Sequence, residues 1–136
     1  MAGEIKTQIL AYRGNLEKVD TFFPKIESII VNRENFSSTL IRLKSTYHIG
    51  DIIQIIVYVS SPPDQKIKYC ISKPKNENVC NWQDSNVFLI KIDDEDDIGD
   101  NSLIIKIKSD QDYHRCNYQS VFDDRASISY VVLPKI

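Results

Sequence analysis

Residues that favour helices are scarce in this chain. Alanine occurs only at positions 2, 11 and 126, and methionine only at position 1. The first shortage removes the best intrinsic helix former. The second excludes a flexible Met-rich groove for helical targets. The longest apolar run, around Ile52–Val59, is too short to span a bilayer, so no transmembrane helix and no membrane partner are expected. No basic, apolar, small-residue leader opens the sequence, so no secretory signal is visible. Cysteine is limited to positions 70, 80 and 116, and an odd count argues against a complete disulfide framework. Cys70 and Cys80 can pair and leave Cys116 free. Without a leader, the reading adopted is a cytoplasmic protein with three reduced thiols.

Catalytic signatures are missing as well. The sequence holds no G-x-S-x-G elbow, phosphate-cradling loop, dinucleotide fingerprint or H-E-x-x-H. Only His48 and His114 would titrate near neutrality unperturbed. His48 precedes a Gly-Asp turn and reads as structural. His114 could be paired with Asp112 or Cys116, but nothing supplies an oxyanion site. The chain is therefore read as not an enzyme, with no cofactor. Cys70, Cys80, His114 and Cys116 match no familiar zinc spacing, so no metal site is assigned.

What the sequence has in quantity is isoleucine, 21 of 136 residues. Isoleucine is β-branched and suits a pleated strand. Ile26–Val31, Thr39–Lys44, Ile52–Ser60, Lys66–Ser72, Asn86–Ile92, Leu103–Lys108 and Ala126–Leu133 read as strands, most of them alternating. Ile52–Ser60 is apolar on both parities, the pattern of a central strand covered on both faces. Glu4–Tyr12 reads as a short first strand or an ordered lead-in. Asn32–Ser38 and Tyr47–Asp51 read as turns, and Ser61-Pro62-Pro63-Asp64 as a stop. The expected organisation is a lead-in over 1–23 and one domain over 24–136. About seven short strands without an amphipathic helix predict an all-β, antiparallel two-sheet sandwich.

The order resembles an immunoglobulin-like or fibronectin type III-like sandwich, of the kind found in bacterial accessory domains. Pro24 with Ile26–Val31 would be strand A, and Thr39–Lys44 a second segment of A. Gly50-Asp51 leads into Ile52–Ser60 as B. Lys66–Ser72, with Ile67-Lys68-Tyr69, would be C, Asn86–Ile92 E, Leu103–Lys108 F and Ala126–Leu133 G. Strands B and F carry no cysteine, C has Tyr69 rather than tryptophan, and Trp82 lies near the C–E connection. An antibody-type domain is therefore not expected.

Candidate sites follow from the loops and faces. Asp93–Asp97 with Asp100 places six carboxylates in eight residues, a possible calcium loop or a solvated guard against strand pairing. Neither EF-hand register fits. Lys66, Lys68, Lys106 and Lys108 would share a face if C and F pair, either attracting anions or standing in solvent. Net charge is −2, so nucleic acid is not an expected partner. The sequon Asn35-Phe36-Ser37 has no meaning without secretion.

The connection Ser109–Arg125 is longer than packing needs. Asp112, Tyr113, His114, Arg115, Tyr118 and Phe122 suit a surface that grips another protein. The Ser61–Gln65 turn would stand at the same end of the sandwich, with the acidic run at the other. Equally, Tyr113, Tyr118 or Phe122 could plug the core. The expected function is thus a non-catalytic accessory module binding a protein through this loop and turn, or a strand edge. The alternative is a carbohydrate- or calcium-binding module. The sequence leaves oligomeric state open.

Overall fold

The computed structural model describes residues 23–110 and 122–136. The lead-in, including Glu4–Tyr12, lies outside these residues apart from Phe23. Eight strands run in order: β1 (Lys25–Val31), β2 (Glu34–Phe36), β3 (Leu40–His48), β4 (Ile52–Ser60), β5 (Ile67–Ser72), β6 (Val87–Lys91), β7 (Gly99–Ser109) and β8 (Asp124–Leu133). Short 3-10 turns at Pro74–Asn76 and Glu95–Asp97 interrupt the connections. The strands form two four-stranded sheets. Sheet I has the order β2-β1-β4-β6 and sheet II the order β3-β8-β7-β5.

The all-β, two-layer expectation holds. One pairing departs from the antiparallel reading, because β3 runs parallel to β8. A bulge between Arg42 and Thr46 lets β3 keep that pairing to its end. Tyr47 and His48, expected in a turn, are therefore strand residues, and the corner is confined to residues 49–51. Gly50 there has φ +106°, a conformation that costs glycine little. Its N–H donates to the Ile92 carbonyl at 2.6 Å, which ties the corner to the end of β6.

The strand β2 falls inside the segment expected to be a polar turn. It pairs with β1 across the two-residue turn Asn32-Arg33, where both residues have positive φ. That is the geometry two-residue hairpins use to match strand twist. The Asn32 side chain anchors the turn: its Oδ1 accepts from Gln54 N and its Nδ2 donates to the Tyr47 hydroxyl.

The core lies between the sheets. Ile29, Ile53, Ile55 and Val57 of sheet I and Ile105, Ile107, Ile128 and Val132 of sheet II are all 0% exposed. Registers place these side chains on facing inner surfaces, as in ~10 Å-thick sandwich cores. Tyr130 closes one end of the core and meets Tyr47 edge-to-face at 6.0 Å.

Candidate functional site

Four surfaces carry the chemistry singled out from the sequence: one rim, the two outer faces, and the acidic end. The strand directions place the 61–66 turn and the β7–β8 connection at one rim. The 32–33 and 49–51 turns and the acidic run lie at the other.

At the first rim, Asp110 N donates to the Lys66 carbonyl at 3.0 Å, and Lys66 N donates to Asp110 Oδ1 at 3.3 Å. The expected juxtaposition of the 61–65 turn with the start of the long connection is thus present. Asp123 Oδ2 accepts from Ser109 N at 2.7 Å, and Asp124 Oδ2 accepts from Ile26 N of the other sheet at 2.8 Å. These carboxylates pin the base of the connection and join the two sheets. Asp112, Tyr113, His114, Arg115 and Tyr118, with Cys116, lie outside the described residues. Phe122 is described. Its ring sits 4.8 Å from Lys106 Nζ on the outer side of sheet II, so it covers that face and does not plug the core.

The outer face of sheet II holds the lysines. β5 pairs with β7 so that Lys68 stands opposite Lys108 and Cys70 opposite Lys106, while Arg125 of β8 flanks Lys106. Residues 73–86 fold back over part of this face and bury Lys106, while Lys66 stays exposed and Lys68 and Lys108 are partly covered. Glu77 accepts from Arg125 through two contacts, 2.7 and 3.1 Å. Its Oε2 lies 3.6 Å from Lys106 Nζ, which also donates to the Glu77 carbonyl at 3.0 Å. Trp82 lies under Lys108 Nζ at 4.5 Å, and Asp84 pairs with Lys68 at 2.5 Å. The Gln83 backbone exchanges two hydrogen bonds with Tyr69, capping the open edge of β5.

As a result Lys106 is only 3% exposed, and Ile104 beside it is also buried. A buried ammonium persists only when paired and hydrogen-bonded, and Glu77 supplies both. In return, hydrogen bonding to Arg125, together with the charges of Arg125 and Lys106, holds the Glu77 carboxyl below its ordinary range. Lys68 does the same for Asp84.

A covalent bond fixes this flap. Cys70 and Cys80 form a disulfide, with Cα atoms 5.6 Å apart. The expectation of three reduced thiols is therefore corrected. The odd cysteine count obscures this pair, although the Cys70–Cys80 spacing brackets one loop. The disulfide also removes two of the four ligands from any zinc arrangement with His114 and Cys116.

At the acidic end the carboxylates do not converge. Asp94 Oδ1 caps the short turn by accepting from Asp96 N, and Asp97 pairs with Lys73 at 2.6 Å. Asn101 Nδ2 donates to the Asp97 carbonyl. Among the described residues, no three His, Cys, Asp or Glu side chains are grouped to hold a metal ion. An open groove of about 540 Å³ lies here, lined by Arg42, Lys73, Asp97, Asp100 and Tyr130 among others. Its walls mix both charges. At the corner, Asp51 Oδ2 accepts from the backbone N–H of His48 at 2.8 Å, and the imidazole Nδ1 lies 4.0 Å from the same oxygen.

Burial pushes the Tyr130 phenol up to about 12, with the nearby charges of Asp97 and Tyr47 adding to the effect. A raised phenol pKa means the native state holds its proton more tightly than the unfolded chain. Its contribution is whole below pH ~10 and is lost as pH rises through the native value. The protein is expected to lose at most about 2–3 kcal/mol between pH ~10 and ~12 from this group. In Tyr130→Phe, stability followed by denaturant titration across that window should fall less steeply. An identical slope in both proteins would assign the alkaline loss to other groups.

The outer face of sheet I is the opposite of the lysine face. Ile30, Ile56 and Val87 lie side by side in register across β1, β4 and β6. Ile52 (56% exposed), Tyr58 (46%) and Leu89 (67%) flank them. The outward parity of β4, read from the sequence as covered, is uncovered among the described residues. No rule of periodicity could have shown this, since both parities are apolar; the inner one won because it faces sheet II.

No family model matches the chain, and no curated protein or solved structure matches it. Among the described residues, no helix is long and apolar enough to cross a membrane.

Proposed function

We propose that this chain is a non-catalytic, immunoglobulin-like recognition module that binds a partner protein. The fold reading is supported by strand placement. β1, β4 and β6 share one sheet, β5, β7 and β8 the other, which corresponds to the A-B-E and C-F-G grouping of such sandwiches. β3, beside β8, corresponds to the second segment of strand A.

The observation that carries the binding reading is the contrast between the outer faces. The chain covers much of the face of sheet II with its own flap, yet leaves three apolar side chains in register on sheet I, Ile30, Ile56 and Val87, flanked by Ile52, Tyr58 and Leu89. Contiguous apolar patches of this kind mark contact sites more often than scattered exposed residues do. Strand-edge pairing at β6 is less favoured. Gln83 Nε2 donates to the Val87 carbonyl, and Ser85 Oγ accepts from Val87 N, so only a short stretch of that edge is open. The rim remains a second contact surface in this reading, because Lys66 and Asp110 bind the 61–66 turn to the start of the long connection.

A photo-crosslinking amino acid at position 89, 113 or 44 tests the proposal in the cells that make the protein. The expected result is a discrete protein adduct from position 89 and none from position 44 on β3. An adduct from position 113 alone would move the contact to the rim. Absence of adducts from both 89 and 113 would sink the recognition reading.

A further inference from the structure

Asn35 opens the sequon Asn35-Phe36-Ser37, set aside above for want of an oxidising compartment. The Cys70–Cys80 disulfide supplies that context independently, because such bonds form and persist mainly in secreted, luminal and periplasmic proteins. The fold then places the acceptor suitably. Asn35 pairs with Ile30 in the β1–β2 register, so its side chain shares the outward parity of Ile30, while Phe36 turns to the core. Asn35 is exposed, and β2 is the edge strand of sheet I. A bulky substituent there projects from the sheet beside Ile30, and among the described residues no strand lies beyond β2.

We propose that Asn35 is a modification site that carries an N-linked oligosaccharide. The donor class is a lipid-pyrophosphate-linked oligosaccharide. Asn35 Nδ2 loses one proton and bonds to the anomeric carbon. The bond from that carbon to the pyrophosphate oxygen breaks, and the lipid pyrophosphate leaves with the electron pair. No oxidant or reductant is consumed. The sugar would also guard the β2 edge against pairing with another sheet, the role that charge or proline plays on other edges. It stands at the opposite edge of sheet I from Val87 and Leu89, and leaves the β4–β6 half of the apolar face open.

The test uses the full chain isolated from its own cells, with free thiols alkylated at lysis. Intact mass and peptide mapping, before and after peptide N-glycosidase treatment, read the site. The expected result is an oxidised Cys70–Cys80 pair and an enzyme-removable oligosaccharide on the Asn35 peptide. That mass increment should vanish in Asn35→Gln and Ser37→Ala and persist in Ser37→Thr. Because Asn35 and Ser37 are exposed, the variants should melt with the unglycosylated wild type, which separates loss of modification from loss of folding. Recovery of an unmodified Asn35 peptide from the wild type, with residues 70 and 80 either oxidised or alkylated, would overturn the proposal.

Discussion

Ile55→Ala is expected to destabilise the protein by about 3–4 kcal/mol, whereas Ile52→Ala, three residues earlier on the same strand, should cost under ~1 kcal/mol. Ile55 is fully buried between the sheets, opposite Phe88 of β6. Removing its side chain loses apolar transfer energy and leaves a cavity that close-packed neighbours fill only in part. Ile52 is 56% exposed on the outward parity, so its truncation opens no cavity. Urea unfolding measures both variants, and a shift in midpoint without a change in slope identifies a stability effect. Equal losses would mean that the outer face of sheet I is packed as tightly as the inner one. That result would also undo the argument for a contact surface there.

This pair of variants addresses the point at which sequence reading reached its limit. Alternation located β5 and β8 closely, since Ile67, Tyr69 and Ile71 recur at period two around Lys68, and Ile128 and Tyr130 recur around Ser129 and continue to Val132. It could place β4 but could not orient it. Burial depends on which layer lies opposite, and that is a property of distant chain segments. The strand β2 was hidden for a different reason. Asn32-Arg33 forms its turn without the glycine that marks most two-residue hairpins, and Glu34-Asn35-Phe36 is too short for a period to show. The first residues of β7 were hidden by their polarity. Gly99–Ser102 look like loop, but they pair with residues Val132 to Ser129 of β8, and ladder hydrogen bonds do not require apolar side chains.

The lysine face shows how a local pattern can be legible while the partners of its side chains are not. Alternation puts Lys66, Lys68, Lys106 and Lys108 on one side, and the β5–β7 register agrees for Lys68, Lys106 and Lys108. Their partners come from a polar connection, Lys73–Asn86, that carries no periodicity. Glu77 lies inside the loop that Cys70 and Cys80 close, and Trp82 and Asp84 lie just beyond it. Complementary charges separated by 16 residues in Lys68–Asp84 and 48 in Arg125–Glu77 leave no short-range signal, whereas two cysteines around one loop are a visible signal that the odd third cysteine obscures.

Reduction of that disulfide, or Cys80→Ala, is accordingly expected to lower stability by about 3 kcal/mol, roughly 10 °C in melting temperature. The bond joins residues 10 apart, and loop-closure entropy for so short a loop accounts for that figure. The effect should be visible before unfolding. Trp82, the sole tryptophan, leaves its contact with Lys108 as the flap loosens, so its emission should shift to the red while the far-ultraviolet spectrum stays that of a β protein. The acid limb should change as well. In the oxidised protein the Glu77 pKa is depressed, so its contribution is present above the ordinary carboxylate pKa and is lost as pH falls through the native value. Once the flap is released, Glu77 returns toward its ordinary pKa, and the reduced protein should lose less of its remaining stability on acidification. Thermal melts of both redox forms at neutral pH and at pH ~3 check this. Coincident melts with an unchanged tryptophan spectrum would show that Glu77, Lys106 and Arg125 hold the flap closed without the covalent bond. In that case Glu77→Ala, which leaves the Lys106 ammonium buried without its carboxylate, should become the more damaging change.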